Sequence, residues 1–222
     1  MRFFPPFATM ILFTGAIFNG WIEVVLQEGS FLMKEKLAKF VRVITVPPVL
    51  ALVLLLVLHF AGGYFKNLSL LWGIFFLVLF PLLSYPIWRL LPFLYKRGRS
   101  SQRALATAFS VLGYIGGIVY SLAAGLGHAE IIVFLTYLLS GILIAVTSYV
   151  FKIRSSGHAC GVAGPIAMIV FRIGSWGWLG LLLMPLVIWS SLSLKRHTVS
   201  ELLSGSLIPV FSMLLWVLLL GA

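Results

Sequence analysis

Three polar clusters interrupt an otherwise apolar chain, and their residue types suit phosphate chemistry. The first is Lys96-Arg97-Gly98-Arg99-Ser100-Ser101-Gln102-Arg103. The second is Ser155-Ser156-Gly157-His158, and the third runs from Ser190 to Glu201 through Lys195, Arg196 and His197. Guanidinium groups pair bidentately with phosphate oxygens. Ser156 and Gly157 fall just before a helix start, where free backbone N–H groups favour an anion. His197 and Glu201 are four residues apart, so on a helix they share a face and can hydrogen bond. A carboxylate behind an imidazole sets its tautomer and supports its charged form. With a second imidazole at His158, one ring could attack phosphorus and the other could protonate the leaving oxygen.

The elements that must position these residues are membrane helices. The chain has 222 residues, 61% hydrophobic and 9% charged, with a mean hydropathy of +1.12. Soluble domains run at about 45–50% apolar and about 25% charged, so a water-soluble enzyme, a disordered chain and a disulfide scaffold are excluded. The single cysteine, Cys160, admits no intrachain disulfide. A span needs ~20 helical residues. Candidate spans are Val41–Gly62, Leu68–Leu91, Ala104–Leu126, Ile131–Phe151, His158–Arg172, Trp176–Leu194 and Val199–Leu220. The expected fold is therefore all-α, a polytopic bundle of about six or seven spans. Residues 41–222 form the membrane domain. Residues 1–40 form an interfacial or re-entrant segment ending in the basic amphipathic stretch Met33–Arg42. The run His158–Arg172 rises only ~21 Å as a helix, which recesses His158 or leaves Arg172 to snorkel.

Two spans separate the first polar cluster from the second, and two more separate the second from the third. An even number of crossings returns the chain to one side, so all three can converge. On that side stand thirteen Lys and Arg residues against two on the other, Arg2 set aside. The positive-inside rule makes the basic side cytoplasmic. A net charge of +11 borne by short loops between spans points to anionic headgroups or a phosphorylated lipid, not to nucleic acid.

The clusters read as K-x6-R at Lys96 and Arg103, S-G-H at Ser156–His158, and S-x6-H-x3-E at Ser190, His197 and Glu201. This resembles the three signatures of the type-2 phosphatidic acid phosphatase superfamily, K-x6-R-P, P-S-G-H and S-R-x5-H-x3-D. The likeness covers the chain from Val41 onward. It implies that His197 is a nucleophile forming a phosphohistidine, that Glu201 orients it and that His158 is the general acid. It also implies that Lys96, Arg103, Ser156 and Gly157 hold phosphate, with neither metal nor cofactor. Four positions depart from the pattern: Ala104 and Ser155 replace prolines, Glu201 replaces Asp, and Ser191 stands where the family has a phosphate-binding Arg. Arg196, Lys195 and Arg154 are the candidates to fill that gap.

The expected activity is hydrolysis of a lipid phosphomonoester or diphosphate of the phosphatidate, phosphatidylglycerol phosphate or polyprenyl phosphate type. The alternatives are a lipid phosphotransferase and a non-catalytic lipid-binding or transport relative. Expected partners are the lipid phosphate and membrane lipid; homo-oligomerisation stays open. The glycines Gly113, Gly116, Gly117, Gly157, Gly161 and Gly164 read as close helix packing. Cys160 reads as a small buried residue, and His59 and His128 as structural.

Overall fold

The computed structural model describes residues 33–221. The expected interfacial or re-entrant segment lies outside that range except for its basic end. That end begins α1, Met33–Ile44, which buries Ala38 and Val41 and leaves its lysines exposed. Pro47 and Pro48 then break the chain. The residue before a proline is pushed out of the helical region, and Val46 is extended at ψ 144°. Helix α2, Pro47–Phe60, restarts at an angle of 47° to α1. The expected first span is thus two helices joined at a bend.

Helix α3, Leu68–Leu90, contains a π-helical stretch at Phe75–Leu79. That stretch lies just before Pro81, whose ring and missing N–H disturb the hydrogen bond to the preceding turn. Leu91 is extended before Pro92, and a short α4, Pro92–Lys96, follows. Gly98 turns at φ +70° into α5, Arg99–Ala123, so Arg99 and Arg103 belong to a helix and not to a loop. Then come α6, His128–Tyr149, and α7, Gly157–Ile173. A 3-10 segment, Ser175–Leu182, leads into α8, Leu183–Ser193, and α9, Val199–Leu220.

The described residues contain no strand, and four helices are long and apolar enough to cross a membrane: α3, α5, α6 and α9. They become five if the bent pair α1–α2 counts as one, below the six or seven expected. The shortfall has two causes. Helix α7 has only 17 residues. The run from Trp176 yields an equally short apolar helix, Gly177–Ser193, whose first turns are 3-10 and whose Gly177 lies close against the Val170 backbone of α7.

Helix α7 is the centre of the bundle. Ala159 to Ile166 are all buried, and α2, α6, α8, α9 and the 3-10 segment pack around it. A helix buried on every side belongs to a core. Gly161 makes room for Pro47 of α2, and Gly164 for Pro209 of α9. Gly113 and Gly116 of α5 face Phe76, and Gly117 faces Phe134. Gly157 differs from this group, since a Cβ there would meet nothing within 4 Å. Far from the polar clusters, Phe65 is fully buried. Its N–H donates to Glu130 at 3.3 Å and its carbonyl accepts from His59 Nδ1 at 2.9 Å. On the outside, large apolar side chains remain exposed along the helices, as at Leu207 and Leu218. That surface suits hydrocarbon, as in an integral membrane protein.

Candidate functional site

The site grows from a strap at residues 155–157 that lies against the start of α9. The Ser156 N–H donates to the Glu201 carbonyl at 2.8 Å, and the Ser155 and Ser204 hydroxyls are 3.0 Å apart. Such an approach requires Gly205, where a Cβ would stand 2.4 Å from the Ser156 carbonyl oxygen. The second and third polar clusters are therefore joined backbone to backbone. Ser156 caps α7, its hydroxyl accepting from the Ala159 N–H at 3.3 Å. Its own N–H and side chain are both engaged, so what it offers an anion is the helix end it organises. The next amides, those of Gly157 and His158, lie in the first turn, where no carbonyl of the helix reaches them.

His158 is buried and bonds through Nε2 to the Thr45 hydroxyl at 2.9 Å. Thr45 directs its proton to the Val41 carbonyl at 2.7 Å, so it accepts at the imidazole. This keeps one proton on Nε2 and leaves Nδ1 to gain or lose a second. The charges of Arg42 and His197 both act on this ring through space. His197 Nδ1 lies 3.0 Å from Glu201 Oε2, which makes Nε2 its unengaged nitrogen. The carboxylate has a second task in a capping box. Glu201 Oε2 accepts the Thr198 N–H at 3.1 Å, while the Thr198 hydroxyl accepts the Glu201 N–H at 3.3 Å.

Arg42 is the residue that sequence reasoning missed. It reads as one more cation on a basic amphipathic helix. In the fold it turns inward, and its Nη1 donates to the Ser191 hydroxyl at 2.9 Å. Ser191 is thus met by a guanidinium from α1, where Arg42 and Thr45 lie three residues apart on one helix face. The vacancy at Ser191 was the available signal. It called for a nearby cation, for which the sequence offered Arg196, Lys195 and Arg154 but not Arg42.

Of the three candidates for that role, Arg196 is exposed but close enough for its charge to act on Arg42. Arg154 is exposed and acts on Glu201 in the same way. Lys195 is exposed at a left-handed backbone position, φ +49°. Arg103, on the first turns of α5, lines the same cavity as Arg42, Gly157 and His158. Lys96 does not line it; it is the exposed last residue of α4, turned away from Arg103 by the bend at Gly98. The cavity measures about 490 Å3, within the usual range for small-molecule sites.

Among the described residues, no carboxylate comes within ion-pair distance of Arg42, Arg103, Arg154 or Arg196. Arg42 and Arg196 lie close enough for their charges to oppose one another, a placement that favours an anionic ligand. Among the same residues, no three His, Cys, Asp or Glu side chains gather as metal ligands would. No protein-family model, curated protein or solved structure matches this chain.

Proposed function

We propose that this chain is an integral membrane phosphatase of the type-2 phosphatidic acid phosphatase kind, with its site at the cytoplasmic face. It cleaves a lipid phosphomonoester or diphosphate through a phosphohistidine. One observation carries the reading. The strap that leads into His158 is hydrogen bonded to the backbone of Glu201, whose carboxylate holds His197.

In the proposed cycle the substrate phosphate lies against Arg42, Arg103 and the first turn of α7. The lone pair of His197 Nε2 attacks phosphorus, while Glu201 holds the proton on Nδ1. The bond from phosphorus to the lipid oxygen breaks, and His158 gives that oxygen its proton. Water then attacks phosphorus, losing a proton to His158; the phosphorus–nitrogen bond breaks, its electron pair returns to His197 Nε2, and inorganic phosphate leaves. Arg42, Arg103 and the α7 amides would supply cationic and N–H donors to the non-bridging oxygens, the preorganised stabilisation that such reactions need. The two guanidinium groups come from α1 and α5, which meet only in the folded bundle.

The direct test is release of inorganic phosphate from detergent-solubilised phosphatidate in the presence of EDTA. Turnover supports the proposal. Tight lipid binding without any phosphate release overturns it in favour of a non-catalytic relative, and transfer to an acceptor in place of water overturns it in favour of a phosphotransferase.

Two variants refine the roles. Arg42→Ala should lower kcat/KM by about 100-fold, the scale of losing charge-assisted hydrogen bonds to a transferring phosphoryl group. Arg42→Lys should recover only part, because an ammonium cannot serve Ser191 and a phosphate in one plane. An unchanged kcat/KM in Arg42→Ala would remove Arg42 from the site. His158→Ala should slow an alkyl phosphate, whose alkoxide needs a proton, far more than p-nitrophenyl phosphate, whose phenolate does not. Equal losses on both would count against the general-acid role.

A further inference from the structure

The cavity does not stop at the His158 imidazole. It continues between α5, α6 and α7 as far as Met168, ~15 Å along α7 at 1.5 Å per residue. Three hydroxyl-bearing residues of α6 line this deeper part: Thr136, Tyr137 and Ser140. None of their oxygens has a hydrogen-bond partner, although Thr136 is fully buried and Ser140 is only 4% exposed. Ser140 has the Cys160 thiol beside it, a weak partner that does not meet hydrogen-bond geometry.

Other hydroxyls inside the bundle behave differently. Ser110, Ser121 and Ser212 each donate to the carbonyl four residues earlier on their own helices. An unmade hydrogen bond in an apolar interior costs free energy, so three open donors on adjoining turns of one helix mark a place for an acceptor. Cys160 is two residues, ~3 Å of rise, from His158. The adjacent Ser140 therefore stands just below the phosphate position, with Tyr137 and Thr136 one turn deeper. Tyr85 and Thr107 line the same space and are exposed, so it opens sideways toward the bilayer.

This spacing separates the substrate classes. A diacyl glycerol phosphate carries two ester carbonyls, both pure acceptors, one glycerol backbone away from its phosphorus. A polyprenyl phosphate carries only hydrocarbon there. We infer that the chain selects a diacyl glycerophosphate, its phosphate at Arg42 and His158 and its ester carbonyls accepting from Thr136, Tyr137 and Ser140. The inference rests on the phosphate site proposed above.

The test is a binding comparison that needs no turnover. Full-length His197→Ala protein in detergent micelles is titrated with dioleoyl phosphatidate and with the dialkyl ether lipid of the same chain length. The ester lipid should bind about tenfold more tightly, the effect of one or two neutral hydrogen bonds. Adding Thr136→Val, Tyr137→Phe and Ser140→Ala should erase that preference and leave the ether affinity unchanged. Each of the three changes can also be made singly, because they alter volume little. Equal affinities in the parent, or a preference that survives in the triple variant, would overturn the inference, the first outcome meaning that water satisfies the hydroxyls. Wild-type phosphate release without ester preference removes this inference alone. Ester preference without wild-type release removes the phosphatase reading alone.

Discussion

If the proposed chemistry holds, phosphate release should fall by at least about 10,000-fold in His197→Ala, while lipid phosphate should still bind. No other described imidazole has its Nδ1 held by a carboxylate, as His197 has at 3.0 Å from Glu201. Removing a nucleophile leaves only the stabilisation supplied by the surrounding donors. Binding survives because Arg42, Arg103 and the α7 amides belong to other elements. Glu201→Gln separates the two tasks of that carboxylate. An amide oxygen can still accept the Thr198 N–H and preserve the capping box, so the helix start keeps most of its stability. The charge that supports the imidazolium is gone, so turnover falls and thermal stability barely moves. The readouts are single-turnover phosphate release and trapping of an acid-labile phosphoprotein with labelled substrate. A His197→Ala protein that retains full turnover would mean that the nucleophile is another group.

Gly205→Val disables the protein through geometry. The new side chain would begin 2.4 Å from the Ser156 carbonyl oxygen and 2.8 Å from its nitrogen. Both are backbone atoms of a buried strap and cannot swing aside, so the strap must leave α9. Overpacking of this sort costs about 1–3 kcal/mol. His158 would shift away from His197, and a misplacement near 1 Å in such a pair lowers turnover by about 100-fold. A second measurement isolates the movement from the activity. The Ser155 and Ser204 hydroxyls lie 3.0 Å apart, so Ser155→Cys with Ser204→Cys should form a disulfide on mild oxidation. In a Gly205→Val background it should not. Efficient cross-linking in both backgrounds would show that the strap had not moved and would locate the defect elsewhere.

The polar clusters were legible in the sequence because charged and imidazole side chains are rare in so apolar a chain. His158, His197 and Glu201 stood out by type and by interval. Arg42 and Thr45 did not, because their direction depends on the bend that Pro47 and Pro48 impose. On an unbent helix the same residues would read as part of a lipid-facing basic stripe. Lys96 and Arg103 also stood out by their interval, but the sequence could not say that, with the turn at Gly98 between them, only Arg103 would line the cavity. Helix α7 was hard to interpret for a more general reason. Lipid and protein core are equally apolar, so hydropathy does not distinguish a central helix from a peripheral one. The open hydroxyls of α6 posed the same difficulty. Ser and Thr on a membrane helix ordinarily bond back to their own helix and Tyr finds a partner elsewhere, and only the packed bundle shows which have not.

The burial of α7 also bears on how the protein would respond to different bilayers. Peripheral helices meet the acyl chains and must tilt or stretch the lipid when their lengths disagree with its thickness. Helix α7 is sheathed by its neighbours and feels that mismatch only through them. Its first residues, with His158 among them, are set by proline–glycine contacts to α2 and α9. The depth of the imidazole is thus a property of the protein's internal scaffold, and membranes with longer or shorter lipids would alter how the outer helices lean before they altered the distance between the two histidines.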